Sequence, residues 1–158
     1  MPNGLNGVLV PGMWNGSGSN GSAAADASKN DRGIYDDACF VITATDLRSY
    51  NFNTDPSIFR KGVATLNPGL YRAVKHRHHG RYDAFQVVSD DVSRDGGVKH
   101  DVGRHAINIH YGRPVNTDSL GCQTMPKQQF VPEFQPYVYR LMDKNRKHDF
   151  AYLLVEAT

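Results

Sequence analysis

Residues 62–88 read GVATLNPGLYRAVKHRHHGRYDAFQVV, and their punctuation decides the fold class. Two short apolar runs, Gly62–Leu66 and Gly69–Val74, flank Asn67-Pro68-Gly69, a tripeptide with strong turn chemistry. A third run, Ala84–Val88, follows a basic loop and has the length and composition of a strand. Outward from this stretch the pattern continues. Towards the N-terminus, Ala38–Thr45 (ACFVITAT) is β-branched and apolar, a buried strand with Leu47–Phe52 as its hairpin partner. Towards the C-terminus, Asp95-Gly96-Gly97 is a tight turn. His105–His110 then alternates, placing Ala106, Asn108 and His110 on one face and His105, Ile107 and Ile109 on the other. Phe150–Val155 closes the series as a buried strand. One helix interrupts it: Phe130, Phe134, Val138 and Leu141 recur at steps of four, four and three. Pro132 and Pro136 either start that helix or kink it. Many short strands and one helix in the C-terminal half predict a mainly β domain, a sandwich or barrel-like body.

A chain of 158 residues fits one domain with a single core. Residues 1–33, rich in Gly, Asn, Ser, Ala and Asp, are expected as a flexible arm, and 34–158 as the functional domain. Within the arm, Val8-Leu9-Val10, Met13 and Trp14 form one apolar point that can dock on the body. The net charge of +2 provides no broad basic field, so nucleic acid is not an expected partner. No apolar run reaches the length of a membrane-spanning helix. The first residues lack the basic and apolar regions of a secretory signal, which predicts synthesis in the cytoplasm.

The chemistry concentrates in Ile107–Met125, INIHYGRPVNTDSLGCQTM. A histidine ends a strand, a polar loop follows, and Ser119-Leu120-Gly121-Cys122 comes next. A cysteine attacks as thiolate, and a neighbouring imidazole takes its proton. A rigid strand suits the holding of that base. Gly121 permits a tight turn and close approach of substrate. The amides of Gly121 and Cys122 are candidates for an oxyanion hole. Ser119 is either the group that orients the imidazole or a turn serine capping its own loop. The other cysteine, Cys39, lies among Phe40, Val41 and Ile42 and reads as a buried, inert thiol.

These residues resemble the L,D-transpeptidase (YkuD-type) catalytic domain, and the string INIH…TDSLGCQT is most similar to its shortened, phage-encoded relatives. The resemblance implies a mainly β fold, with Cys122 as nucleophile, His110 as base, Ser119 as orienting group and Gly121 at the family's glycine. It also implies a peptidoglycan stem peptide as donor. Attack falls at the L-centre of its third, diamino residue, the following D-residue leaves, and no cofactor is required. The spacing of twelve between His110 and Cys122 is shorter than the family's, so the covering loop is cut down. Leu120 stands where a second histidine is common. Gln123 and Thr124 stand where an arginine is usual, so Gln123, Arg113 and Arg104 are the candidates for substrate contact. The short covering loop tilts the expectation towards hydrolysis, as a phage lysis or virion-borne protein acting at the cell wall would need.

Two other readings use other features. His76-Arg77-His78-His79 can supply two zinc ligands, with Asp83, His100 or Asp101 as a third, which would make a metal-dependent cell-wall peptidase. A chain that keeps the fold without the chemistry would be a wall-binding or virion structural protein. The cations Arg140, Lys144, Arg146, Lys147 and His148 gather at the expected helix C-terminus, where they complement the dipole.

Overall fold

The computed structural model describes the backbone of residues 8–13 and, with side chains, residues 32–114 and 116–155. Trp14 and the Gly/Asn/Ser stretch 15–22 lie outside the described residues. The strands are β1 (Val8–Met13), β2 (Asp37–Ile42), β3 (Leu47–Phe52), β4 (Ala64–Leu66), β5 (Gly69–His78), β6 (Tyr82–Val87), β7 (Asp90–Arg94), β8 (Asp101–Gly103), β9 (Asn108–Gly112), β10 (Gln123–Pro126) and β11 (Asp149–Leu154). Eight of them form one sheet in the order β10-β9-β6-β5-β11-β1-β2-β3, and β4-β7-β8 form a small second sheet. The molecule is mainly β with its helix in the C-terminal half, as the turn-punctuated sequence predicts.

The large sheet curls. In a flat sheet β3 and β6, five strand spacings apart, would lie roughly 24 Å from each other. Yet the Phe134 ring touches Tyr50 of β3 at a centroid distance of 5.3 Å and Phe85 of β6 at 5.8 Å. The two edge strands meet at one antiparallel bridge, where Asn53 N–H donates to Thr124 O at 2.8 Å and Thr124 N–H to Asn53 O at 2.9 Å. The helical segment therefore lies inside the curl, and Phe130, Phe134, Val138 and Met142 bury there against Phe85, Ile109 and Met125. It begins earlier than the sequence periodicity suggested. A short α1 (Lys127–Gln129) runs into a π-helical stretch, Phe130–Phe134, and then into α2 (Gln135–Lys144). Pro132 has no amide hydrogen for the α-helical ladder, and the widened stretch absorbs the missing bond: Gln135 N–H reaches five residues back to Phe130 O. Pro136 sits in the first turn of α2, where its lack of a donor is harmless.

Asn67-Pro68-Gly69 bends the chain, as its turn chemistry predicts, between β4, which pairs with β7 in the small sheet, and β5, which pairs with β6 and β11 in the large one. Both edges of β5 are taken, so the turn is a crossing between sheets. And Val8–Met13 of the expected arm is a full strand, parallel to β11 and antiparallel to β2, inside the sheet.

Candidate active site

Strand β9 supplies the floor. The alternation expected from His105 begins in fact at Asn108, because Ala106 adopts a left-handed backbone (φ 58°) that breaks the strand before it. His110 thus lies in the middle of β9 and not at its end. Two residues apart, Asn108 and His110 share a face. Strand β10 runs parallel to β9, with Thr124 opposite His110 and Gln123 opposite Ile109. The connection between them carries Ser119, Gly121 and Cys122, so the thiol at the foot of β10 arrives beside Asn108.

The loop is clasped at several points. Ser57 N–H donates to Ser119 O at 2.8 Å, Ser119 N–H to Ser57 Oγ at 2.7 Å, and Ser57 Oγ meets Thr117 Oγ1 at 2.6 Å. Tyr35 Oη donates to Arg113 O at 2.8 Å. Ser119 Oγ donates to Cys122 O at 2.6 Å and accepts from Gly121 N–H at 3.0 Å. Of its two expected roles, Ser119 makes the loop-capping contacts; its hydroxyl fixes the turn beneath Cys122, and its hydrogen bonds go to Cys122 and Gly121 and not to the imidazole. This also occupies the Gly121 amide, leaving that of Cys122 as the candidate oxyanion donor of the pair.

Gly121 has a second constraint. Its φ is +134°, and a Cβ there would stand 2.7 Å from the carbonyl oxygen of Ala64 in β4. Neither condition suits a side chain. Gly121→Ala is expected to cost roughly 2–4 kcal/mol if the loop holds its place. If the loop shifts by about 1 Å instead, turnover falls on the order of 100-fold. Melting temperature and turnover of the variant check this together; both at wild-type level would show that the loop has room for a methyl group.

The imidazole is oriented by other groups. His110 Nδ1 lies 2.8 Å from Tyr111 O and 3.3 Å from Tyr82 Oη. A carbonyl only accepts, so Nδ1 carries the hydrogen, and Nε2 keeps a free lone pair for a proton. The ring of His78 stacks on that of His110 at 4.0 Å and 19°. Burial, and then the neighbouring His110, His79 and His76, push His78 down to about 4, so it is a neutral wall near pH 7. Burial also lowers His110 below its ordinary value, opposed by the Tyr111 hydrogen bond. Cys122 is partly exposed, and its Sγ lies 3.9 Å from Asn108 Nδ2. Burial pushes this thiol up, against the lowering effect of the Asn108 backbone and side-chain hydrogen bonds. The resting pair is therefore neutral thiol and neutral imidazole.

Cys122 and His110 open on one cleft of about 1100 Å³, whose walls include His78, Tyr82, Asn108, Arg113, Ser119 and Leu120. Of the residues expected to contact substrate, Arg113 lines this cleft, with its Nε 3.1 Å from Asp118 Oδ2. Arg104 is exposed and does not line this cleft. Gln123 is fully buried; it donates to Thr54 O at 3.0 Å and accepts from Tyr152 Oη at 2.8 Å, so it braces β10. Cys39 is buried, which pushes its thiol well up. The proposed third zinc ligands are engaged elsewhere: Asp83 lies 3.9 Å from Arg77, His100 2.8 Å from Asp91, and Asp101 2.8 Å from Arg94. Among the described residues no three of His, Cys, Asp and Glu converge as metal ligands would. Tyr82 went unread in the sequence, Asn108 was signalled only by the face it shares with His110, and His78 was read only as a candidate zinc ligand. No family model, curated protein or solved structure compared with the chain matches it.

Proposed function

We propose that the protein is a cysteine-nucleophile enzyme that cleaves or transfers the acyl group of peptidoglycan stem peptides at the cell wall. The observation that supports it best is the pairing in one cleft of a partly exposed thiol, held by Asn108, with an imidazole whose Nδ1 is pinned to a carbonyl and whose Nε2 is free. The substrate class rests on the resemblance of Ile107–Thr124 to the L,D-transpeptidase domain.

In this reading Cys122 Sγ attacks the carbonyl carbon of the third, diamino residue, and the thiol proton passes to His110 Nε2. The oxyanion that forms takes a hydrogen bond from the Cys122 amide. The C–N bond then breaks, the nitrogen receives the proton from His110, and the D-residue departs as an amine, leaving a thioester. Water, or an amine of another stem, attacks the thioester as it gives its proton to His110. The tetrahedral adduct then collapses, the C–S bond breaks, and His110 returns the proton to sulfur. Water yields a shortened peptide and an amine yields a cross-link. The short loop over the site favours water, as phage lysis or entry would require.

The test is mass spectrometry of purified stem-peptide fragments incubated with the protein. A loss equal to one D-residue, or a joined dimer, is expected; iodoacetamide stops the change and a metal chelator does not. Unchanged masses for every fragment, with the protein folded, would reject the enzyme reading in favour of a wall-binding role.

A further inference from the structure

Cys122 is shared by two hollows. Besides the His110 cleft, it forms part of the wall of a second pocket of about 350 Å³, lined by Arg60, Lys61, Arg94, His105, Leu120 and Gly121 among others, none of them acidic. Two of its four basic side chains are answered. Arg94 lies 2.8 Å from Asp101, and His105 lies 2.5 Å from Asp90 and 3.2 Å from Asp101. Arg60 and Lys61 are exposed and have no acidic partner among the described residues. Asp95, whose carboxylate accepts the Arg60 backbone amide at 3.1 Å, is occupied by Arg32 at 2.7 Å. The pocket therefore carries two unneutralised cations beside the nucleophile.

Proton transfer decides which part of a substrate lies there. The leaving nitrogen must receive its proton from His110, so the leaving residue occupies the cleft on the imidazole side. The acylated residue extends the other way from Sγ, towards Arg60 and Lys61. We infer that the Arg60–Lys61 pocket is an anion subsite that takes the side-chain carboxylate of the acylated residue, selecting a diamino acid that ends in a carboxylate over one that ends in a bare amine. The inference deepens the proposed function and rests on it for the peptide, but the anion subsite itself is testable without any peptide.

The peptide-free test compares alkylation of Cys122 by iodoacetate and by iodoacetamide. In both, the thiolate displaces iodide from the same methylene carbon, so the ratio of rates cancels thiolate supply and reads the field at the thiol. Arg60→Gln/Lys61→Gln is expected to lower the iodoacetate-to-iodoacetamide ratio about five-fold at low salt, and less as salt screens these exposed charges. Arg140→Gln/Lys144→Gln, on α2 outside both hollows, should leave it unchanged. An equal ratio in wild type and the Arg60/Lys61 variant overturns the subsite. With paired stem peptides that differ only in that side-chain carboxylate, the wild type is expected to favour the carboxylate form about ten-fold in kcat/KM, and the Arg60/Lys61 variant to lose the preference. Equal turnover of the two by wild type overturns the side-chain assignment. If neither peptide reacts while the alkylation ratio falls, the subsite stands and the peptidoglycan reading fails.

Discussion

Cys122→Ala is expected to remove turnover of stem peptides, by about 10⁴-fold or more, while the protein melts close to the wild-type temperature. The size of the effect follows from the lack of a substitute. Alanine has no lone pair to form the acyl intermediate, and the other cysteine, Cys39, is fully buried in the core. The small change in stability follows from position. Cys122 is only partly enclosed, and the short hydrogen bonds that hold its loop run through its carbonyl and through Ser119 and Ser57, while its sulfur accepts a longer one from Asn108 Nδ2 at 3.9 Å. Cys39→Ala serves as the control: it leaves a small void in the core and lowers stability by roughly 1 kcal/mol, but keeps turnover. Steady-state rates and melting curves of the two variants separate the roles. Turnover surviving in Cys122→Ala would end the thiol mechanism and return attention to the histidines of the β5–β6 hairpin.

The candidate site was legible because it is local. His110 and Cys122 are twelve positions apart in one strand–loop–strand unit, so spacing alone brings them to the same end of the sheet. What the sequence could not carry was anything set by sheet order. Tyr82 and His78 reach His110 only because β6 and β5 follow β9 in the sheet, and no periodicity in the chain encodes that order. Ser119 illustrates a different limit. A serine three residues before the nucleophile can face the imidazole or the loop, and the choice depends on where Ser57 stands, 62 positions away. For the fold, apolar alternation marked the buried strands, but β1 is rich in glycine and proline neighbours and escaped it. A strand flanked on both sides obtains its ladder from the backbone, which composition does not report. The Asn67-Pro68-Gly69 turn was legible as a turn but its place between two sheets was not, since turn chemistry says where a chain bends and not which strand it then joins.

The same packing that assembles the site also sets its protonation. Burial disfavours the charged form of both groups, raising the thiol and lowering the imidazole, so the pair rests without a thiolate–imidazolium couple. In the proposed mechanism proton transfer then accompanies attack, and His110 is needed in every turnover. His110→Gln is accordingly expected to lower kcat/KM by about 10²–10⁴-fold near neutral pH, and to change the shape of the pH profile as well as its height. In the wild type, kcat/KM falls on the acid side as His110 gains a proton, with a midpoint below the ordinary histidine value because its pKa is lowered. It stays level towards alkaline pH up to the raised thiol pKa. In His110→Gln the limb with the histidine midpoint disappears, since glutamine does not titrate. The remaining activity depends on thiolate formed without help, and climbs about ten-fold per pH unit until the thiol pKa is reached. Iodoacetamide alkylation of the wild type in the absence of substrate should show that same climb, because the resting thiol is protonated at neutral pH. A flat alkylation profile from pH 5 to pH 8 would mean a preformed ion pair and would contradict the neutral resting state. A limb that kept the wild-type acid midpoint in His110→Gln would assign the catalytic proton to another group, and His79, whose ring packs 4.1 Å from His78, would be the next to substitute.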